Sequence, residues 1–447
     1  MRQETGAAVE IIEQLADDLV LRRATPADTE SLVAFNARIH RKPDEDSSAF
    51  IASWTRDLMT GGHPTCGPGD FTVVEATRSG DIVSTLNLIP QTWSYGGIPF
   101  GVGRVELVGT QPGYRRRGLV RRQMAVVHQW SGERGHLVQA ITGIPHYYRQ
   151  FGYEMALELG GGRSGFRPHI PDLAGEATEP YLIRPATPED IPFIATLDAQ
   201  GRQRSLVAAV RDPEIWRFEL EGRHEDCRHA VRVITQPDGQ PIGFLAHPAE
   251  LWGTALVVRA YELAAGTSWL AVTPAVLRYL KATAESYQDR PGARPWERFV
   301  FGFGASHPVY RAIPDRLPRT APSYAYYLRV PDLPAFLRHI APVLEERLAA
   351  SSAAGHSGEL RIGFYRDGLR LVLDQGRLAT VEAWEPGDDW EAAPSFPGLT
   401  FLQLLFGYRS LADLEYAFAD CRAGDEEARV LLDALFPKLP SYVWAID

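Results

Sequence analysis

A repeat constrains this chain more than any other feature. Leu21-Arg-Arg-Ala-Thr-Pro-Ala-Asp28 returns as Ile183-Arg-Pro-Ala-Thr-Pro-Glu-Asp190, with Pro26 and Pro188 standing 162 positions apart. Each copy reads as a strand running into a helix. Thr25 and Thr187 are N-cap residues, the prolines suit the first helical position where no N–H is needed, and Asp28 and Asp190 face the positive end of the helix dipole. The same spacing carries Pro112 onto Pro274 and the pair Tyr148-Arg149 onto Tyr310-Arg311. Three anchors in one register imply a duplicated unit. In a chain of 447 residues, two such copies leave room for a third unit.

Within the first copy, 71–77 and 81–89 alternate as an antiparallel hairpin about Arg78-Ser79-Gly80, and 104–110 is a further strand. A helix opens in the arginine-rich segment after Pro112, and 136–142 is another strand. A short helix follows, bounded by Pro145 and Gly152. This is an α/β (α+β) pattern: two tandem mixed sheets flanked by helices. The character changes near Tyr324, where 331–351 reads as one amphipathic helix. After a flexible connector, 359–384 alternates through turns at Asp367-Gly368 and Gln375-Gly376, as an antiparallel meander does. The expected division is 1–165, 166–323 and 324–447, the last an α+β unit.

The composition excludes several functions. The net charge of −10 argues against general nucleic-acid binding and favours a cationic partner such as an amine. No stretch offers 18 consecutive apolar residues, and the start is not a secretory signal, so a cytoplasmic protein without a membrane span is expected. Cys66, Cys227 and Cys421 are too far apart for a zinc ribbon or a disulfide framework, and no metal is expected. The run His224-Glu-Asp-Cys227-Arg-His229 lacks a second ligand cluster.

Against that acidic background, Gly113-Tyr-Arg-Arg-Arg-Gly-Leu-Val-Arg-Arg-Gln-Met124 holds five arginines in twelve residues. Free N–H groups at a helix start, a glycine that lets an oxyanion approach the backbone, and guanidinium groups together make an anion site. The run is neither a Walker loop nor G-x-G-x-x-G, which disfavours nucleoside triphosphates and dinucleotides. The second copy lacks the glycine and the triple arginine, so this chemistry belongs to the first copy alone.

The segment resembles the acyl-CoA signature of the GNAT superfamily of N-acetyltransferases, Gln/Arg-x-x-Gly-x-Gly/Ala. Arg115, Gly118 and Val120 occupy its places, with valine where a small residue is usual. Tyr148-Arg-Gln-Phe-Gly-Tyr-Glu154 is similar to the superfamily's Tyr-x-x-x-Gly-Phe/Tyr element. The whole chain resembles the Eis-like acetyltransferases: an active GNAT domain, a degenerate GNAT repeat and a sterol-carrier-like C-terminal domain. The resemblance implies that backbone groups of Val108, Gly109 and Thr110 line the acetyl-pantetheine arm. It implies that Arg116, Arg117, Gly118, Leu119, Val120 and Arg121 surround the pyrophosphate, with Arg122 an exposed helical charge. It also implies a homo-oligomer, with a hexamer as the form suggested.

Acetyl transfer from a thioester to an amine needs a neutral amine, charge stabilisation on the carbonyl oxygen and a proton for the leaving thiolate. Tyr148 matches the family position that protonates the sulfur, and Tyr147 reads as structural. For the base, the resemblance points to the C-terminal carboxylate, here that of Asp447, although the family terminus is typically aromatic. Glu106 is a second candidate, two residues before Val108 and so expected on the same strand face. His146 is a third. Phe35, Trp54 and Trp93 are candidates for the wall of an acceptor pocket. The expected reaction is acetyl transfer from acetyl-CoA to a primary amine of a polyamine, an aminoglycoside-like compound or a lysine side chain. The alternative is a non-catalytic acyl-CoA sensor, or a lipid carrier or scaffold.

Overall fold

The computed structural model describes residues 10–42, 46–175, 177–290, 292–387 and 393–444. The first sheet is built from β1 (Ile11–Leu15), β2 (Leu19–Arg23), β3 (Phe71–Ala76), β4 (Asp81–Tyr95), β5 (Ile98–Thr110), β6 (Val138–Ile141) and β7 (Glu154–Leu159). It is antiparallel up to β5, and β6 then joins β5 in parallel. Along β3, Phe71 and Val73 pack with α1 (Thr29–Ile39) and α2 (Ala49–Met59), while Val74 and Ala76 pack towards the start of α3 (Leu119–Glu133). The two-residue period thus puts a helical layer on each face. The molecule is mixed α/β, in agreement with its sequence pattern.

Both repeat starts fold alike. Thr25 and Thr187 are the N-caps of short 3-10 turns, as expected, each closed by a capping box with the aspartate three residues on. The Asp28 carboxylate accepts from Thr25 N at 2.8 Å and is clamped by Arg22 at 2.7 and 2.9 Å. Asp190 repeats this with Thr187 N at 2.8 Å and Arg184 at 2.7 Å to each oxygen. Tyr148 and Tyr310 also correspond, each on a short helix after the parallel strand. The equivalence of Pro112 and Pro274 does not hold. Pro112 opens a turn before α3, whereas Pro274 lies inside the helix Trp269–Gln288.

The two repeats exchange strands. Tyr324–Arg329, assigned by sequence to the third unit, inserts between β6 and β7, antiparallel to both. Reciprocally, Gly162–Phe166 leaves the first repeat and inserts between Arg298–Phe301 and Arg319–Ala321 of the second. The two crossing segments touch. A Cβ on Gly161 would stand 2.7 Å from Ser323 N, and one on Gly162 would stand 2.1 Å from Phe301 O, with φ of 77° and 141°. Only glycine fits a left-handed backbone pressed so closely on another chain segment.

The third unit is a three-stranded meander, Gly358–Gly363, Gly368–Asp374 and Arg377–Trp384, covered by helices. Gln375 and Gly376 form its second turn with φ of 48° and 79°. Its apolar face merges with the first sheet: Phe336 and Phe406 pack on Tyr95, whose hydroxyl donates to Leu405 O at 2.7 Å. The expected single helix over 331–351 is two, Leu333–His339 and Ala341–Ala349, because Pro342 has no N–H to continue the first. Among the described residues, no helix is long and apolar enough to cross a membrane.

Buried histidines give the fold a pH dependence. His247 is fully buried between Pro248 O at 2.8 Å and the Tyr279 hydroxyl at 2.9 Å, and burial lowers its pKa to about 4. The unfolded chain takes up that proton near the ordinary histidine pKa of about 6.5, so stability is full above that pH and is lost as pH falls towards 4. His247→Gln should flatten the acid limb of a stability-versus-pH curve between those values, by roughly 3 kcal/mol. An unchanged limb would show that other groups carry it.

Candidate active site

The motif residues of the first repeat converge where β5 outruns β6. The parallel pairing spans only Val102 to Val105, and β5 continues to Thr110 bound to β4 alone. The other backbone edge of Val108, Gly109 and Thr110 is therefore open to a ligand lying as an added strand. β5 also bulges: the segment Glu106 to Gly109 faces Thr85 to Asn87, one residue fewer, and Leu107 has φ of 52°.

This bulge overturns the face expected for Glu106. Val105 and Val108 both pack with Met124 and Val127 of α3, while Leu107 turns to Phe35 and Trp54. Glu106 lies with Arg104 instead, accepting from its Nε at 2.9 Å and from Thr142 Oγ1 at 3.2 Å. Gly109 lets α1 close on the strand, since a Cβ there would stand 2.9 Å from Ile39 Cγ2 and 3.1 Å from Phe35. Ser84 Oγ stands 2.9 Å from Gly109 O and 2.7 Å from Gln123 Oε1 of α3, two acceptors that share its one proton.

The loop between β5 and α3 carries two left-handed residues, Arg116 at φ 65° and Gly118 at φ 75°. Gly118 is the N-cap of α3, and no side chain caps the helix. Arg122 N reaches back to Gly118 O at 3.2 Å, which leaves the amides of the first turn pointing out of the helix start. A Cβ on Gly118 would meet open space, so the glycine serves conformation and keeps the approach to those amides clear. The arginines differ in how they are held. Arg115 Nε donates to Thr110 O at 3.3 Å, Arg117 pairs with Asp17 at 3.3 Å, and Arg121 donates to Gln150 at 2.8 Å. Arg122 is tied to Glu13, whereas Arg116 has no side-chain partner among the described residues. Leu119 is buried against the sheet and Val120 is half-buried, packing towards Tyr148's cluster.

Tyr148 closes the gap beyond β6. It sits on the 3-10 turn Tyr147–Phe151, which begins two residues after Pro145, later than its sequence suggested. Its ring meets Tyr147 at 5.0 Å and Tyr327 of the exchanged strand at 5.5 Å, and lies so near the chain that a Cβ on Gly143 would stand 3.0 Å from it. Burial, then the nearby Glu106 charge, push the phenol well above its ordinary range, so it stays protonated at neutral pH. Its hydroxyl has no hydrogen-bond partner among the described residues. His146 is exposed in the turn before it.

Two polar residues at the bulge escape sequence reasoning. Asn87, opposite Glu106, is fully buried beside the Cys66 thiol, and His40 leaves Nε2 buried and unpartnered about Gly109. Burial lowers the His40 pKa. Only the three-dimensional meeting of α1 with the bulge marks them. Of the expected acceptor-wall aromatics, Trp93 lines a cleft between the repeats with Thr65, Gln91 and Asp212, while Phe35 and Trp54 belong to the apolar cluster beneath. Asp447 lies outside the described residues. The preceding tail bridges Tyr442 to Ala208 and seats Trp444 beside Trp216 and His229.

The second repeat is closed at the corresponding helix start. Ser268 Oγ caps Ala271 N at 3.3 Å, and the Trp269 ring packs 4.8 Å from Tyr261 and 5.1 Å from His307.

Residues 20–156 match the family model of an acetyltransferase (GNAT) domain. No curated protein matches the chain in sequence. Among solved structures, the chain is similar over 96% of its length to a GCN5-related N-acetyltransferase from Kribbella flavida, covering 98% of it at 19% identity and a TM-score of 0.65. A probable N-acyltransferase from Enterococcus faecalis V583 is covered over 99% at 13% identity and a TM-score of 0.65. Eis1 from Mycobacterium abscessus is covered over 99% at 16% identity and a TM-score of 0.59. These likenesses establish the fold over almost the whole chain, the third unit included.

Proposed function

We propose that this chain, an acyltransferase by the GNAT domain it carries at residues 20–156, moves the acetyl group of acetyl-CoA to a primary amine by direct attack. The observation that carries the reading is the uncapped start of α3 beside Arg116, lying next to the open edge of β5. The residues fit coenzyme A. Arg116, Arg117 and the amides of Gly118 to Arg121 would hold its pyrophosphate. Val108, Gly109 and Thr110 would pair with the pantetheine amides. Bound there, acetyl-CoA would supply the activated acetyl group.

Tyr148 is then the proton donor to the departing sulfur. For the base, Glu106 is engaged by Arg104 and Thr142, and the family analogy keeps Asp447 as the other candidate. The acceptor would enter from the cleft at Trp93 and Asp212, whose carboxylate suits a polyamine, an aminoglycoside-like amine or a lysine side chain. The Eis-like arrangement, with a degenerate second GNAT unit, a sterol-carrier-like third unit and a homo-oligomeric assembly of which a hexamer is the form suggested, belongs to the same proposal. Its support is the coverage of the solved structures end to end.

Replacing Arg116 and Arg117 together by alanine is expected to raise the KM for acetyl-CoA about tenfold or more and to leave kcat within a few-fold. Steady-state assays of free-thiol release across a panel of amines measure both. An unchanged KM would remove the loop from coenzyme binding, and coenzyme binding without turnover on any amine would favour a sensor.

A further inference from the structure

We infer that the vestigial reaction centre of the second repeat is a binding site for a small oxyanion, a carboxylate or inorganic phosphate. The place that corresponds to the bulge of β5 and the turn after β6 lies between the strands Ala255–Val258 and Ala260–Leu263 and the loop before Tyr310. It holds a cavity of about 40 Å³. That is room for about three waters, or for an oxyanion of roughly four or five heavy atoms. Coenzyme A cannot be its ligand, because Ser268 caps the adjoining helix start and Trp269 fills the approach.

Charge decides the class. Arg202, Arg204, Arg211 and Arg259 line the cavity against only two carboxylates, Asp198 and Glu262. Asp198 is shared between Arg202 at 2.7 Å and Arg211. Glu262 takes Arg204 and stands 3.7 Å from His307, an imidazole that burial keeps neutral at pH 7. Glu158, which is outside the lining, accepts from Ser441 N at 3.2 Å. Among the described residues the lining thus carries a surplus of two positive charges.

The surplus has an address. The Arg259 side chain has no hydrogen-bond or ion-pair partner among the described residues and lies over the Trp252 ring at 5.8 Å, while its backbone N–H donates to Ala246 O and its carbonyl accepts from the Tyr442 hydroxyl. The Arg211 side chain is 8% exposed; it shares Asp198 with Arg202 and donates to Trp444 O, but its Nε is buried without a partner. A buried donor left without an acceptor costs free energy, and planar N–H groups are matched to oxyanions. A cationic ligand would meet the same surplus as repulsion. The Arg211 segment also lines the cleft between the repeats, so an anion held there would tie 207–211 and the tail at Tyr442 to one position.

The test uses the full chain with Arg116→Ala and Arg117→Ala, so that the loop of the first repeat does not contribute, and does not depend on acetyl transfer. Inorganic phosphate and acetate are titrated separately by calorimetry at constant ionic strength. Saturable binding of one anion per chain is expected, weakened at least tenfold by adding Arg259→Gln; the Arg259 side chain holds no hydrogen bond or ion pair among the described residues. Preference for phosphate or for acetate identifies the class of natural ligand. The inference is overturned if neither anion binds saturably, or if Arg259→Gln binds as tightly as its parent.

Discussion

Replacing Tyr148 by phenylalanine should lower kcat about 10² to 10³-fold and leave the KM for acetyl-CoA nearly unchanged, the signature of a group that acts only as the thiolate leaves. The ring is packed by Tyr147 and Tyr327, and phenylalanine keeps those contacts, so the loss isolates the hydroxyl. Burial and Glu106 hold the phenol protonated, which suits a donor but opposes full transfer to a thiol of ordinary acidity. The thiol of a coenzyme A bound in the same slot would be raised by the same desolvation, which would keep donor and acceptor close. Rates measured with saturating acetyl-CoA decide the matter. A kcat within twofold of the parent would leave Tyr148 as packing only.

Tyr327→Ala should cost about 3–5 kcal/mol of stability, the range for removing a buried aromatic ring. It should also reduce kcat, although Tyr327 lies some 180 residues beyond the motifs. Tyr327 is fully buried, meets Tyr148 edge to face, and donates from its hydroxyl to Ile144 O at 3.1 Å, beneath the turn that carries Tyr148. Tyr327→Phe removes only that bond and should cost about 1 kcal/mol. Urea unfolding of both variants measures the difference. Equal midpoints for Tyr327→Ala and the parent would show that the exchanged strand does not brace the site.

What the sequence revealed was what local chemistry determines. The TPAD and TPED starts, the hairpin of β3 and β4, the glycine before α3 and the turn at Gln375-Gly376 each follow from residues within a few positions. Pro274 misled because a proline tolerated within a helix looks, in one dimension, like one before a helix. The extra residue at Leu107 was hidden because a bulge needs no glycine, and it altered which face Glu106 occupies. Asn87 and His40 are ordinary polar residues in sequence and become notable only where α1 meets β5. Strand exchange depends on pairing partners more than a hundred residues apart, and neither strand announces its partner.

That exchange has a consequence for synthesis. The sheet holding the first-translated motifs cannot be completed until residue 329 has emerged from the ribosome, some 170 residues after β7. At roughly 5–20 residues per second, the nascent domain waits about ten to thirty seconds with two strand edges uncovered. The second copy therefore has a structural duty whatever its chemistry: a chain that lacked it would also lack the span that brings the final strand back to the first sheet.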